Sequence, residues 1–153
     1  MKRILVPVAA VLFLFLPSLF GQSPEEITQE TMLGTPQWQE KYDQYAPAQE
    51  MLEVIRPRLA GLKIDVVLGL WCSDSRTNVP PFLKIMNSIG IPVPVRYFGV
   101  PRKADGEVKY YYEEWKVERV PTFIFYRDGK EIGRIIERPK AGIVEDTLEI
   151  LFK

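Results

Sequence analysis

Histidine is absent from the chain, and cysteine occurs once, as Cys72. The first absence removes Ser-His and Cys-His nucleophile pairs, histidine general bases and histidine metal ligands. The second removes a cysteine-built zinc site and any disulfide within the chain, so no metal is expected. Redox chemistry, if the protein performs any, must run through one sulfur and a partner molecule. An excess of one charge is missing too, because 20 basic residues face 20 acidic ones. That balance argues against a bulk electrostatic partner such as nucleic acid. No long run of like charge, low-complexity tract or internal repeat is visible.

What remains is ordinary for one globular domain: 153 residues, 46% apolar and 26% charged. The first residues differ from the rest. Met1-Lys2-Arg3 is a basic start, and Ile4 to Phe20 is nearly all apolar, interrupted by Pro7 and Pro17. Gly21 is the small residue before a cut that leaves Gln22 first, although Leu19 stands where a second small residue is preferred. Residues 1–21 thus read as a secretory signal, which predicts an exported protein, periplasmic or secreted. The alternative is an uncleaved membrane anchor over residues 4–20, which is short for a span. Only through that segment is a membrane expected to matter. Loss of Lys2 and Arg3 leaves the mature chain slightly acidic.

Residues 22–47 read as a polar, partly helical lead-in, with Ser23-Pro24-Glu25-Glu26 as a helix start. Residues 48–153 form the expected domain. Ala48 to Leu59 places Met51, Leu52, Ile55 and Leu59 at helical spacing, and Pro57 predicts a kink or an early end. Ile64 to Leu70 is a short, almost wholly apolar run, the signature of a buried central strand. A helix follows Ser75, with Phe82, Leu83, Ile85, Met86 and Ile89 on one side and Gly90 as its stop. Val93 to Val100 reads as a strand, 101–109 as a charged loop, and Tyr110 to Lys116 as a short helix. Thr122 to Tyr126 and Glu131 to Glu137 read as strands joined by an Asp128-Gly129 hairpin turn. Ala141 to Phe152 is a terminal helix. This order predicts an α/β fold, a mixed sheet of four to five strands with helices on both faces.

Cys72 falls where a buried strand gives way to a helix, the edge at which open α/β sheets bind ligands. A helix N-terminus offers free N–H groups and partial positive charge to a thiolate. Arg76 adds to that effect, and Asp74, a carboxylate two residues away, opposes it; both tune the thiol. On position alone a lone cysteine is equally readable as a small buried apolar residue without chemistry.

Trp71-Cys72-Ser73-Asp74-Ser75 resembles the W-C-x-x-C motif of the thioredoxin family, with Ser75 in place of the second cysteine. Pro80 matches the proline of the family's active-site helix, Val120-Pro121-Thr122 its cis-proline loop, and Gly129 its hairpin turn. The resemblance covers Met51 to Lys153, and its strength lies in the order and spacing of these motifs. It implies a three-layer thioredoxin-like fold. It assigns Cys72 as the attacking thiol and Trp71 as the aromatic beside it. Val120 and cis Pro121 become the backbone that pairs with an extended substrate. Ser75 is expected to donate a hydrogen bond that steadies the Cys72 thiolate. Three departures accompany the match. Val66 stands where the family has a buried acid, with Asp65 on the opposite face of the strand. Glu137 replaces a glycine, and Asp74 is unlike the family's usual motif interior.

The resemblance implies a single-thiol disulfide oxidoreductase or isomerase without a cofactor, whose partner is a cysteine-containing protein or a small thiol. The alternative is a binding module for extended polypeptides without turnover, with Tyr110, Tyr111, Tyr112 and Trp115 widening its surface or simply packing the core. A thiol peroxidase is the weaker reading, since Gly69 rather than threonine precedes Cys72 by three places and no second cysteine resolves a sulfenic acid.

Overall fold

The computed structural model describes residues 25–103 and 110–153. The expected signal or anchor, the helix start at Ser23-Pro24 and the end of the charged loop lie outside the described residues.

Five strands form one mixed sheet: β1 (Glu25–Ile27), β2 (Leu62–Leu68), β3 (Val95–Gly99), β4 (Thr122–Arg127) and β5 (Lys130–Ile136). Their order is β1-β3-β2-β4-β5. β2 and β3 run parallel, and the other pairs are antiparallel. β2 therefore has a partner on each side, which is why its sequence is apolar almost throughout. Leu62, Ile64, Val66 and Leu68 point to one face, and Asp65 and Val67 to the other, as a strand's two-residue period requires. Register is fixed at Val66, which lies opposite Tyr97 on one side and Phe123 on the other.

Among the described residues there are five α-helices: α1 (Gln29–Leu33), α2 (Pro36–Gln44), α3 (Gln49–Ile55), α4 (Ser73–Ile89) and α5 (Ile143–Leu151). α3 ends where Pro57 forces a 3-10 turn, Arg56–Arg58, which realises the early end. α4 buries Val79, Phe82, Leu83, Ile85, Met86 and Ile89, and stops at Gly90 in the left-handed region (φ 74°). The Phe82 ring meets Phe123 and Phe125 at centroid distances of 4.9 and 6.2 Å, at the centre of the main core. In the β4–β5 hairpin, Asp128 (φ 51°) and Gly129 (φ 80°) take the positive φ values a tight two-residue turn demands.

Four details differ from the sequence-based expectation. Glu25–Ile27 is an edge strand paired with β3, and the helix begins instead at Gln29, where the Thr28 side chain accepts the Thr31 N–H. Residues 25–44 also enter the core, since Met32 and Trp38 are buried there; polar neighbours at nearly every other position hid these two anchors. The helices do not cover both faces. Side chains of all five join a single core on the face of Ile64 and Val66. The opposite face is covered by irregular chain at 100–103 and 110–121, where Val100, Val117 and Val120 pack on Val67, Phe98 and Ile124. Finally, Tyr110 to Lys116 is a turn closed by a Tyr112–Val117 bridge, with Lys116 in the left-handed region (φ 50°). The turn brings the tilted rings of Tyr112 and Trp115 to 5.0 Å between centroids and sets Trp115 edge-on to Phe98 at 5.0 Å.

Candidate functional site

β2 ends at Leu68 in the middle of the sheet, and a three-residue turn carries the chain to Cys72, the N-cap of α4. The Cys72 N–H donates to the Gly69 carbonyl (2.9 Å), and the Arg76 N–H donates to the Cys72 carbonyl (3.0 Å). The thiol is half-buried and free of any disulfide. Its Sγ–H donates to the Val120 carbonyl at 3.3 Å. The Val120–Pro121 peptide is cis. Sequence positions 72 and 120 therefore meet, and the cysteine lies against the loop that the motif pattern paired with it.

Trp71 stands beside the thiol with 41% of its surface exposed, and Leu70 with 38%. The Trp71 Nε1–H donates to the Val100 carbonyl (3.0 Å). Its ring lies over Gly69, where a Cβ would sit 2.7 Å from Cε2. Gly69 is thus the seat of Trp71, a role that the sequence reading passed over. A glycine within an apolar strand end is the available signal, since it marks close approach.

Ser75 departs from its expected role. It is fully buried, and its Oγ accepts the Gly69 N–H at 3.2 Å. The thiol's own hydrogen bond goes to Val120, and no Ser75–Cys72 bond is formed. Ser75 ties the end of β2 to the first turn of α4, and so holds the turn that carries Trp71 and Cys72.

Asp74 is paired with Arg138 (2.9 and 3.3 Å), a partner 64 residues away that no local pattern announces. That hydrogen-bonded pairing holds the Arg138 guanidinium above its ordinary range. The carboxylate that was expected to oppose a thiolate is therefore met by a cation. Arg76 lies half-buried one turn into α4 and makes no ion pair among the described residues. Asp65 is buried on the sheet's second face. Arg96 grips it through two hydrogen bonds (2.8 and 2.9 Å), with Lys63 at 3.4 Å. Its carboxylate is committed to these cations and does not serve the thiol. Val66 points into the helical core.

The loop is fixed from behind. The Glu137 N–H donates to the Pro121 carbonyl (2.7 Å), and the Thr122 hydroxyl donates to the Arg119 carbonyl (2.7 Å). Glu137 occupies the left-handed region (φ 63°), where the sequence departs from the family's glycine. Its carboxylate pairs with Arg119 at 2.7 Å. Asn78 bridges the Asp74 carbonyl (2.9 Å) and the Glu137 carbonyl (3.4 Å), linking helix and loop. Of the aromatic set, Tyr111, Tyr112 and Trp115 pack against the second cluster together with Cys72, the core-packing reading. Burial raises the Tyr111 phenol, and pushes Tyr112 up to about 12. Among the described residues, no group of acidic or sulfur ligands is arranged to hold a metal ion.

Comparison with known proteins agrees with this geometry. The family model described as thioredoxin matches residues 21–147. Thioredoxin H-type 1 of Nicotiana tabacum is 37% identical over 71 residues, 46% of this chain and 51% of that protein. Thioredoxin H-type of Picea mariana is 32% identical over 80 residues, 52% of this chain and 54% of that protein. The chain thus spans about half the length of the curated relatives it matches. Among solved structures, a protein of unknown function from Pseudomonas aeruginosa superposes with a TM-score of 0.63 at 14% identity, covering 84% of this chain and 92% of that one. It shares the fold. With the family model covering most of its length, the chain belongs to the thioredoxin family.

Proposed function

We propose that this protein is an exported redox protein that captures disulfides through the Cys72 thiol and depends on an outside thiol for release. The observation that carries the reading is the Cys72 thiol at the N-terminus of α4, beside exposed Trp71 and facing the Val120 carbonyl. The Cys72 thiolate attacks one sulfur of a partner disulfide. A Cys72–sulfur bond forms as the partner's S–S bond breaks, and the leaving sulfur departs with the electron pair as a thiolate. A second thiolate then attacks this mixed disulfide and returns Cys72 as a thiolate. If that second thiolate is a small thiol or another protein, the donor ends joined to the partner's sulfur, and a second donor thiol displaces it as the donor's own disulfide, so the partner is reduced and two donor thiols are oxidised. If it is a neighbouring cysteine of the substrate, the disulfide moves with no net electron transfer, which is isomerisation.

Val120 and Pro121 support the substrate side of this reading. An extended segment lying along the loop can use the Val120 backbone as a strand partner. Trp71 and Leu70 supply the apolar footing beside it. The two exposed apolar side chains also favour a second reading, a binding module that holds extended chains without turnover.

Incubation with a disulfide-bonded protein separates the two. The redox reading expects a trapped mixed disulfide in the wild type, none in Cys72→Ala, and turnover on adding a small thiol. Undiminished binding by Cys72→Ala without turnover in the wild type favours the module. Export rests on the sequence of residues 1–21. The mass of the protein recovered from a cell envelope or medium tests it, and a chain starting at Gln22 is the expected product. Among the described residues no helix is long and apolar enough to cross a membrane.

A further inference from the structure

We propose that Asn78 and Arg138 are positioning residues for disulfide capture: they hold the thiol-bearing turn of α4 at a fixed distance from the Val120–Pro121 loop, and so set the width of the groove that an extended substrate enters. The inference rests on the redox reading of the site and adds the residues that decide how an extended disulfide is seated. The two walls of the groove belong to different elements. Cys72 caps α4, and Val120 lies just before β4. At the front of the site they are joined by the Cys72 Sγ–H, which donates to the Val120 carbonyl at 3.3 Å. A thiol is a weak donor, and a thiolate is none. That link is therefore lost in the form of Cys72 that attacks a disulfide. The spacing of the walls must then be kept from elsewhere.

Two rungs at the back of the site keep it. Asp74 and Asn78 stand one helical turn apart on α4 and so share one face of the helix. Opposite them run Glu137 and Arg138, the two residues that follow β5. On the first rung the Asn78 Nδ2–H group donates to the Glu137 carbonyl at 3.4 Å, and also to the Asp74 carbonyl at 2.9 Å, which ties the amide to the first turn. On the second rung the Arg138 guanidinium donates to both oxygens of the Asp74 carboxylate, at 2.9 and 3.3 Å. Glu137 in turn holds the loop, through its N–H to the Pro121 carbonyl at 2.7 Å and its carboxylate to Arg119 at 2.7 Å. Cys72, Asp74, Asn78, Glu137, Pro121 and Val120 thus form a closed ring, and the ring stays connected at the back when the thiol gives up its bond at the front. Asp74 and Glu137 are two of the positions at which the chain departs from the family pattern, and here they belong to one bridge. The other grips on α4 lie elsewhere. Ser75 ties the same turn to the end of β2, and Phe82 meets Phe123 about 15 Å further along the helix.

Two uncharged disulfides separate position from reactivity. Hydroxyethyl disulfide needs only the sulfur of Cys72, whereas a short uncharged peptide dimerised through a central cysteine also needs the groove. Capture rates with the whole chain are read as the peptide-to-small ratio within each variant. A change in general thiol reactivity, including any caused by losing the Arg138 charge, cancels in that ratio. Arg138 is 74% exposed, so replacing it spares the fold even where Asn78→Ala does not. Asn78→Ala and Arg138→Gln should each lower the ratio by roughly three- to tenfold, because a small misplacement of the reacting groups costs rate steeply. Arg138→Lys keeps a cation on Asp74 and should recover most of the ratio. Asp74→Asn added to Arg138→Gln should lower it no further, since the two side chains form one rung. A ratio that holds at its wild-type value in both Asn78→Ala and Arg138→Gln overturns the inference and leaves the redox reading standing, even if both rates fall together, because an equal fall reports a general loss and not a misplaced loop. If native Cys72 takes neither disulfide yet reacts after unfolding, the redox reading falls and this inference with it.

Discussion

The five α-helices among the described residues cover one face of the sheet, while irregular chain at 100–103 and 110–121 covers the other. The helical face buries Trp38, Phe82, Phe123 and Phe125 with a dense aliphatic set, and touches the site only through the first turn of α4. The irregular face has a thin core, yet the site's partners come from it. The reason lies in backbone hydrogen bonding. A helix uses its carbonyls internally, apart from the last turn. Irregular chain leaves them for other donors. Here the Val100 carbonyl takes the Trp71 indole, and the Val120 carbonyl takes the Cys72 thiol. One face supplies stability, and the other supplies the groups that shape the chemistry.

The sharpest test of that division compares one large residue on each face. Phe82→Ala removes a fully buried ring in tilted contact with Phe123 and edge-on contact with Phe125, and should cost about 3–5 kcal/mol in chemical denaturation. Val117→Ala on the thin face should cost about 1–3 kcal/mol. Val117→Ala should also raise the alkylation rate of native Cys72, which packs on the same cluster, while Phe82→Ala should not. Equal costs, or equal effects on the thiol, would erase the distinction between the faces.

Ser75 sits at the junction of the two regions and gives the next largest effect. Its Oγ is the acceptor of the Gly69 N–H in a fully buried setting. Ser75→Ala leaves that N–H without a partner, at about 1–3 kcal/mol. The Trp71 emission spectrum should shift as well, since Gly69 seats the ring. A Ser75→Ala protein of unchanged stability and emission would return Ser75 to the thiolate-steadying role expected from the sequence.

How far the sequence carries depends on whether a signal is local. The β2 run, the α4 stripe with its Gly90 stop, the early end at Pro57 and the Asp128-Gly129 turn are written in adjacent residues, and each is found. The approach of Cys72 to Val120 follows from the order of the motifs. What escapes has its partner far away. Nothing near Glu25 announces pairing with Gly99, and nothing near Asp74 announces Arg138. Trp38 is buried although its helix is otherwise polar. The Tyr110 to Lys116 segment has helical length, but the unfilled face of the sheet draws Tyr112 and Trp115 into a turn. The Ser75 acceptor role escapes for a like reason, because it depends on the conformation of the Gly69 turn.

The thin face also carries a pH signature. Burial raises the Tyr111, Tyr112 and Tyr126 phenols, with Tyr112 at about 12 against an ordinary 10.0. As pH rises from 10 to about 12, the unfolded chain loses the Tyr112 proton first, and the folded state keeps it. The unfolded state is thereby favoured, so stability present below pH 10 falls through this window. Tyr112→Phe should flatten that fall, and should remove one late-titrating phenol from the ultraviolet absorbance titration. A Tyr112 that titrates at its ordinary value would mean that the irregular cover is open to water.

The smallest effect separates backbone from side chain behind the cis-proline loop. Glu137 combines a left-handed backbone (φ 63°) with an exposed ion pair to Arg119. The backbone term costs about 1 kcal/mol for a residue with a Cβ. The exposed ion pair offsets only part of that cost, as exposed pairs do. Glu137→Ala loses the pair and keeps the strain, so it should be less stable than the wild type by about the pair's worth. Glu137→Gly loses the pair and the strain together, so it should end near wild type and about 1 kcal/mol above Glu137→Ala. The difference between the two variants isolates the backbone, since both lack the carboxylate. If alanine and glycine prove equal, the loop behind Cys72 yields to its side chain, and the irregular face is softer than its hydrogen bonds to Pro121 and Asn78 imply.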